Sequence, residues 1–123
     1  MAKLLDTSFL IAYHNKRDEH HERAREIQID EKVINDYIYA EVLNILYSRQ
    51  GRSKAREYGR FLDKSTQIVR VSQPIFKQAR ENFMVKDLSF TDAAIAATAQ
   101  KLGLDLISFD EDFEQFDDLE RIS

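Results

Sequence analysis

The sequence predicts an α/β fold built around a short, mainly parallel central sheet. Short apolar runs alternate with longer helical patterns along the whole chain, and the links between them are short, because the 123 residues include only three Gly and one Pro. Strands that alternate with helices pair in parallel, and the helices cover the faces of the sheet. The length is typical of one domain. We therefore expect a single domain over residues 1–123.

The first part of the chain predicts two strands and three helices. The apolar runs cover residues 3–5 and 32–34, and the helical patterns cover residues 7–13, 20–27 and 36–50. In the last of these, apolar side chains occupy one broad face, and Gly51 marks the end of the helix.

The second part predicts three more helices and three more strands. The helical patterns cover residues 53–64, 74–85 and 91–102, and the strand patterns cover residues 67–71, 104–109 and 119–122. Pro74 is tolerated in the first turn of its helix, since its missing N–H would have no partner there. Gly103 ends the Ala-rich helix. An acidic turn or short helix precedes the last, edge strand.

Composition excludes several classes of site. The absence of cysteine excludes disulfide scaffolds, thiolate metal sites and cysteine nucleophiles. No apolar run reaches the roughly 18 residues of a membrane span. The N-terminus contains Asp6 before any signal-peptide core is complete. We therefore expect a cytoplasmic protein with no membrane partner.

The net charge of -4 argues at first against a nucleic-acid partner. However, seven of the 22 acids lie in residues 110–120, and the remaining 15 acids face 18 bases. Four of these bases recur every four residues: Arg52, Arg56, Arg60 and Lys64. On a helix they form one stripe. The stripe is either an ordinary solvated face or a contact surface for RNA or an acidic partner.

Several acids follow the predicted strands or begin the predicted helices. Parallel sheets bind ligands beyond the carboxyl ends of their strands, where Asp6 and Asp110 lie. Each has a structural alternative as a helix cap, and Asp92 has one in a capping box with Ser89. Glu41 lies within or beside the apolar stripe of its helix. A carboxylate there either has a partner, as in a functional site, or extends past the edge of the stripe into water.

An acid-rich pocket without Cys or His ligands would suit Mg²⁺ or Mn²⁺ rather than Zn²⁺. The natural chemistry of such a pocket is phosphodiester hydrolysis by a metal-activated water. The three histidines (His14, His20 and His21) are expected at the surface, since the adjacent pair lacks the i, i+4 spacing of helical metal ligands.

Four segments together resemble the PIN-domain ribonuclease family, especially the VapC-type toxins. They are residues 5–10 (LDTSFL), 39–43 (YAEVL), 89–97 (SFTDAAIAA) and 108–113 (SFDEDF). The resemblance implies a three-layer α/β/α sandwich with an acidic pocket that binds Mg²⁺ or Mn²⁺. It also implies an RNA substrate, a homodimer, and a small antitoxin protein as partner.

The resemblance also assigns roles. It implies that Asp6, Glu41, Asp92 and Asp110 are the catalytic acids and that Asp6, Asp92, Asp110 and Asp112 are metal ligands, Asp112 being the least certain match. Thr7, Ser8 and Ser108 match hydroxyl positions that hydrogen-bond the carboxylates or metal-bound water, although Ser and Thr also cap helices.

Two other functions fit some of these observations. The first is a PIN-fold module that binds RNA or protein with little or no catalysis, which the presence of all four matched acids disfavours. The second is another acidic-site phosphohydrolase, such as a phosphatase. Ser8 stands where that class would need a second acid after the first strand.

Overall fold

Five short strands form one parallel sheet at the centre of the molecule. The structure is a computed structural model that describes residues 1–123. The strands are β1 (Ala2–Leu5), β2 (Glu31–Asn35), β3 (Gln67–Val69), β4 (Asp105–Ile107) and β5 (Arg121–Ile122). Their order across the sheet is β3-β2-β1-β4-β5, and every neighbouring pair is parallel. The chain therefore places β2 and then β3 on one side of β1, and afterwards β4 and β5 on the other side of β1. Ligands bind at such a reversal of strand order.

Six α-helices and one short 3₁₀ helix connect the strands. They are α1 (Thr7–His14), α2 (His21–Glu26), α3 (Asp36–Gln50), α4 (Arg52–Ser65), α5 (Gln73–Val85), α6 (Phe90–Leu102) and the 3₁₀ helix Glu111–Gln115. The molecule is a three-layer α/β/α sandwich, which confirms the predicted fold class. None of its helices combines the length and apolar character needed to cross a lipid bilayer.

Three strands (β3, β4 and β5) are shorter than the sequence predicts. At the ends of β3 and β4, side chains take over from the sheet as hydrogen-bond partners. After β4, the N–H of Phe109 donates to Ser8 Oγ at 3.0 Å and that of Asp110 donates to Ser108 Oγ at 3.0 Å. After β3, the N–H of Val71 donates to Asp36 Oδ1 at 3.1 Å. The chain leaves the sheet at both points, and at the first it turns into the candidate site.

Small side chains let α6 pack closely on two sides. Every residue from Ala93 to Ala99 is buried. Ile95, Ala96 and Ala99 belong to the main core with the sheet, whereas Ala94 and Ala97 pack against Ile75 and Ala79 of α5. Helix packing within the chain thus accounts for the alanine run.

A buried asparagine joins α3 to α6. Asn35 is fully buried at the end of β2, and its Oδ1 accepts a hydrogen bond of 2.7 Å from the N–H of Ile38, which caps α3. Its Nδ2 donates to Thr98 Oγ1 on α6 at 2.9 Å, and this hydroxyl donates to the carbonyl of Ala94. Because Glu41 lies on α3 and Asp92 on α6, Asn35 helps to fix the relative position of these two acids.

We expect Asn35→Ala to lower the free energy of unfolding by about 2–4 kcal/mol, because it removes a helix cap and a buried hydrogen bond together. Urea unfolding measures the change. Asn44→Ala is the control on the exposed face of the same helix and should stay within about 0.5 kcal/mol of the parent. Equal stability of the two variants would contradict this role of Asn35.

Candidate active site

Four of the predicted acids line one open cleft of about 480 Å³ at the carboxyl edge of the sheet. Asp6 directly follows β1, Glu41 lies in the second turn of α3, Asp92 lies in the first turn of α6, and Asp110 follows β4. The cleft therefore sits where the strand order reverses between β1 and β4. The fold brings together acids that are up to 104 residues apart in the chain.

Asp6 is the most deeply buried of these acids, with 3% of its surface exposed. Its Oδ2 accepts hydrogen bonds from Ser108 Oγ at 2.7 Å and Ser8 Oγ at 2.8 Å. Burial raises the pKa of the Asp6 carboxyl, and the two serine hydroxyls act in the opposite direction. The side chain makes no hydrogen bond that caps α1, so the structure does not support its alternative role as a helix cap.

Glu41 is half-buried on the side of α3 that meets the start of α1. Thr7 Oγ1 donates to Glu41 Oε1 at 2.5 Å. This contact supplies the partner that a carboxylate beside an apolar stripe requires, and it leaves the second oxygen, Oε2, without a protein donor.

The serines that hold Asp6 also shape the segment after β4. Ser108 Oγ accepts from the N–H of Asp110 while it donates to Asp6, and Ser8 Oγ accepts from the N–H of Phe109. All three predicted hydroxyl groups (Thr7, Ser8 and Ser108) therefore donate to a carboxylate of the cleft. Such contacts orient ligands in metal sites.

The acidity of Asp92 is strongly altered by its surroundings. Burial, followed by the negative charges of Asp6, Asp110 and Glu41, raises the pKa of Asp92 to about 7. A hydrogen bond to Ser89 acts in the opposite direction. Ser89 Oγ accepts from the N–H of Asp92 at 3.1 Å, so the serine of the predicted capping box does cap α6.

Three carboxylates are close enough to share a cation. Asp92, Asp110 and Asp112 each place one oxygen within 4.8 Å of the others. Asp110 also has its structural role, since Oδ1 accepts from the N–H of Asp112 at 2.9 Å. Asp112 itself is exposed. An all-oxygen set of acidic ligands fits Mg²⁺ or Mn²⁺. A dication would also relieve the repulsion between carboxylates that adds to burial in raising the pKa of Asp92.

The predicted basic stripe lies elsewhere. Arg52, Arg56, Arg60 and Lys64 are exposed along α4, and none of them lines the acidic cleft. Their contact with RNA or a partner stays a prediction.

Seven residues that line the cleft were not predicted as part of the site, and four of them are charged or aromatic: Asp18, His20, Arg49 and Phe109. The imidazole of His20 is 44% exposed and stacks on the Phe109 ring, with 4.4 Å between centroids and 7° between planes. His20 lies in the irregular segment before α2, so no periodicity marks it. The sequence could have indicated Arg49, since it follows the predicted site residue Glu41 by about two turns on the same helix.

Comparison with known proteins agrees with this architecture. The PIN domain family model matches residues 3–119. No curated protein matches the chain at a significant level of similarity.

Several solved toxin structures have the same fold. VapC20 from Mycobacterium tuberculosis, named as a sarcin-ricin loop cleaving toxin, is 25% identical with a TM-score of 0.80, and the match covers 94% of each chain. A toxin–antitoxin complex from Klebsiella pneumoniae is 24% identical with a TM-score of 0.75, covering 98% of this chain and 96% of the other. VapBC-1 from nontypeable Haemophilus influenzae is 20% identical with a TM-score of 0.78, covering 100% and 98%. By its sequence and its fold, this chain belongs to the PIN-domain family, as its four motifs predicted.

Proposed function

We propose that this chain is a metal-dependent endoribonuclease that hydrolyses RNA phosphodiester bonds and acts as the toxin of a toxin–antitoxin pair. The observation that carries the proposal is the convergence of Asp6, Glu41, Asp92 and Asp110 on one cleft. Four carboxylates in one solvent-accessible cleft repel one another unless a cation is present, and this arrangement is suited to phosphoryl chemistry.

Membership of the PIN-domain family supports a nuclease, and the structural neighbours support the toxin role. One neighbour is named as a toxin that cleaves the sarcin-ricin loop, and others are toxin–antitoxin complexes. By extension, we propose RNA as substrate, a small antitoxin protein as partner, a homodimeric assembly and a cytoplasmic location.

The acids divide into two groups in this proposal. Asp6, Asp92, Asp110 and the exposed Asp112 would hold Mg²⁺ or Mn²⁺, directly or through water. Such a cation, when bound, supplies a water of lowered pKa and positive charge beside the phosphate. Glu41 would accept a proton through Oε2, because Thr7 already occupies Oε1 and fixes the direction of the carboxylate.

The hydroxyl groups do not take part in the chemistry but hold the acids in place. Ser8 and Ser108 keep the Asp6 carboxylate in one orientation, although burial disfavours its charge. The same two oxygens position the backbone that carries Asp110. The cleft is therefore organised before a substrate arrives, which is what efficient stabilisation of charge requires.

Asp92→Asn should reduce the rate of RNA cleavage by roughly a hundredfold or more. Asp92 is a proposed metal ligand, and mutation of residues that only hydrogen-bond to such ligands already lowers activity about 10- to 100-fold. The assay incubates purified protein with a mixed RNA pool and Mg²⁺ or Mn²⁺, and EDTA should abolish cleavage. Asp87→Asn is the matched control, since Asp87 is exposed and outside the cleft.

Equal cleavage by Asp92→Asn and the parent protein would refute the proposed site. Intact RNA in every reaction, together with retained binding of RNA or a protein, would instead favour a binding module without catalysis.

The contribution of Asp92 to the stability of the metal-free protein should fall as the pH rises from about 4 to about 7. The pKa of Asp92 is raised from 3.8 to about 7 in the folded state, so the folded chain binds this proton more tightly than the unfolded chain. The resulting stabilisation is complete below the unfolded pKa and is lost as the pH rises through about 7.

Thermal unfolding in EDTA measures this effect. At about pH 8, Asp92→Asn should melt several degrees higher than the parent protein, and added Mg²⁺ should raise the Tm of the parent more than that of the variant. Parallel Tm–pH curves for the two proteins would show that Asp92 does not carry the effect.

A further inference from the structure

The acidic cleft has one obvious difficulty as a site for RNA. Five carboxylates line it (Asp6, Asp18, Glu41, Asp92 and Asp110), and they repel the phosphate backbone of the substrate. Arg49 is the only lysine or arginine among the lining residues. Arg49, in the last turn of α3, is therefore the one side chain of the cleft that adds to the positive charge of the proposed metal ion.

The guanidinium group of Arg49 is available for a ligand. Arg49 is exposed, and no carboxylate lies within ion-pair distance of it, although five line the same cleft. The planar guanidinium carries several donors that match phosphate oxygens in pairs.

A second groove meets the acidic cleft at Arg49. This groove, here called the α3 groove, has a volume of about 790 Å³ and shares Glu41, Ile45 and Arg49 with the cleft. Its other polar lining residues are Asp36, Tyr37, Asn44, Ser48 and Thr91. The hydroxyl and amide groups suit the sugars and base edges of a nucleic-acid strand. The charge distribution is asymmetric, with Asp36 near the start of α3 and Arg49 near its end.

We propose that Arg49 binds a backbone phosphate of the RNA next to the scissile one and that the α3 groove is the path of the strand. Arg49 follows Glu41 by eight residues, which is about 12 Å along the helix axis. A side chain that starts this far along the helix from Glu41 suits a neighbouring phosphate better than the one that the acids face. The inference rests on the proposed ribonuclease function and names the surface that holds its substrate.

The test measures RNA binding in the Asp92→Asn background, so that the RNA stays intact. The probe is a labelled single-stranded RNA of about 12 nucleotides, followed by fluorescence anisotropy in Mg²⁺ at several salt concentrations. Arg49→Gln should raise the Kd about tenfold and reduce the slope of log K against log salt by about 0.7. Arg49→Lys should retain most of the slope, because it keeps the charge.

Two further variants complete the comparison. Lys101→Gln removes the same charge from the end of α6 that lies away from the cleft, and it should change neither the Kd nor the slope. Arg60→Gln tests the α4 stripe in the same assay. In the native background, Arg49→Gln should raise KM for RNA cleavage with little change in kcat.

The outcomes separate this inference from the proposed function. If the native protein cleaves RNA but Arg49→Gln keeps its affinity and salt slope, the assignment of Arg49 is overturned and the ribonuclease stands. Loss of binding in Arg60→Gln alone moves the strand to α4 and also overturns it. Loss of binding in both Arg49→Gln and Arg49→Lys with a lower Tm shows a structural role and overturns it. If the native protein neither cleaves nor binds RNA, both proposals fail.

Discussion

The buried carboxylate of Asp6 and its two serine donors hold the candidate site together. Ser8 belongs to α1 and Ser108 follows β4, so their hydrogen bonds to Asp6 Oδ2 join the two sides of the point where the strand order reverses. The same hydroxyl oxygens accept from the backbone that leads to Asp110. Because an unpartnered buried carboxylate is costly, this network makes the position of Asp110 depend on that of Asp6.

The other acids are placed by the two helices that flank this centre. Asn35 joins the start of α3 to the middle of α6, and Thr7 holds Glu41 against α1. These contacts keep like charges close together, and burial together with that repulsion raises the pKa of Asp92. Carboxylates that the fold holds close together in an accessible cleft favour the binding of a cation. Such an arrangement is typical of a functional site rather than a structural one.

Much of this arrangement is predictable from the sequence. The apolar runs and helical patterns define the elements, and the position of Asp6 and Asp110 after strands places them at one edge of a parallel sheet. Sequence periodicity does not show the contacts that cross the sheet. Three such contacts depend on the tertiary fold. They are the hydrogen bond between Ser8 and Ser108, which are 100 residues apart in the chain, the buried hydrogen bond from Asn35 to Thr98, and the stacking of His20 on Phe109. The sequence shows the positive charge of Arg49, but it does not show that Arg49 forms no ion pair with the acids of the cleft.

The position of a bound cation tests most directly whether the acids of the cleft form a metal site. A crystal structure of the protein with Mn²⁺, using the anomalous scattering of the metal, locates that ion independently of any activity. We expect a peak in the acidic cleft about 2.1 Å from carboxylate oxygens that include those of Asp92 and Asp110. Full occupancy at a different surface, or no peak in the cleft at saturating Mn²⁺, would contradict the claim that these acids form a metal site.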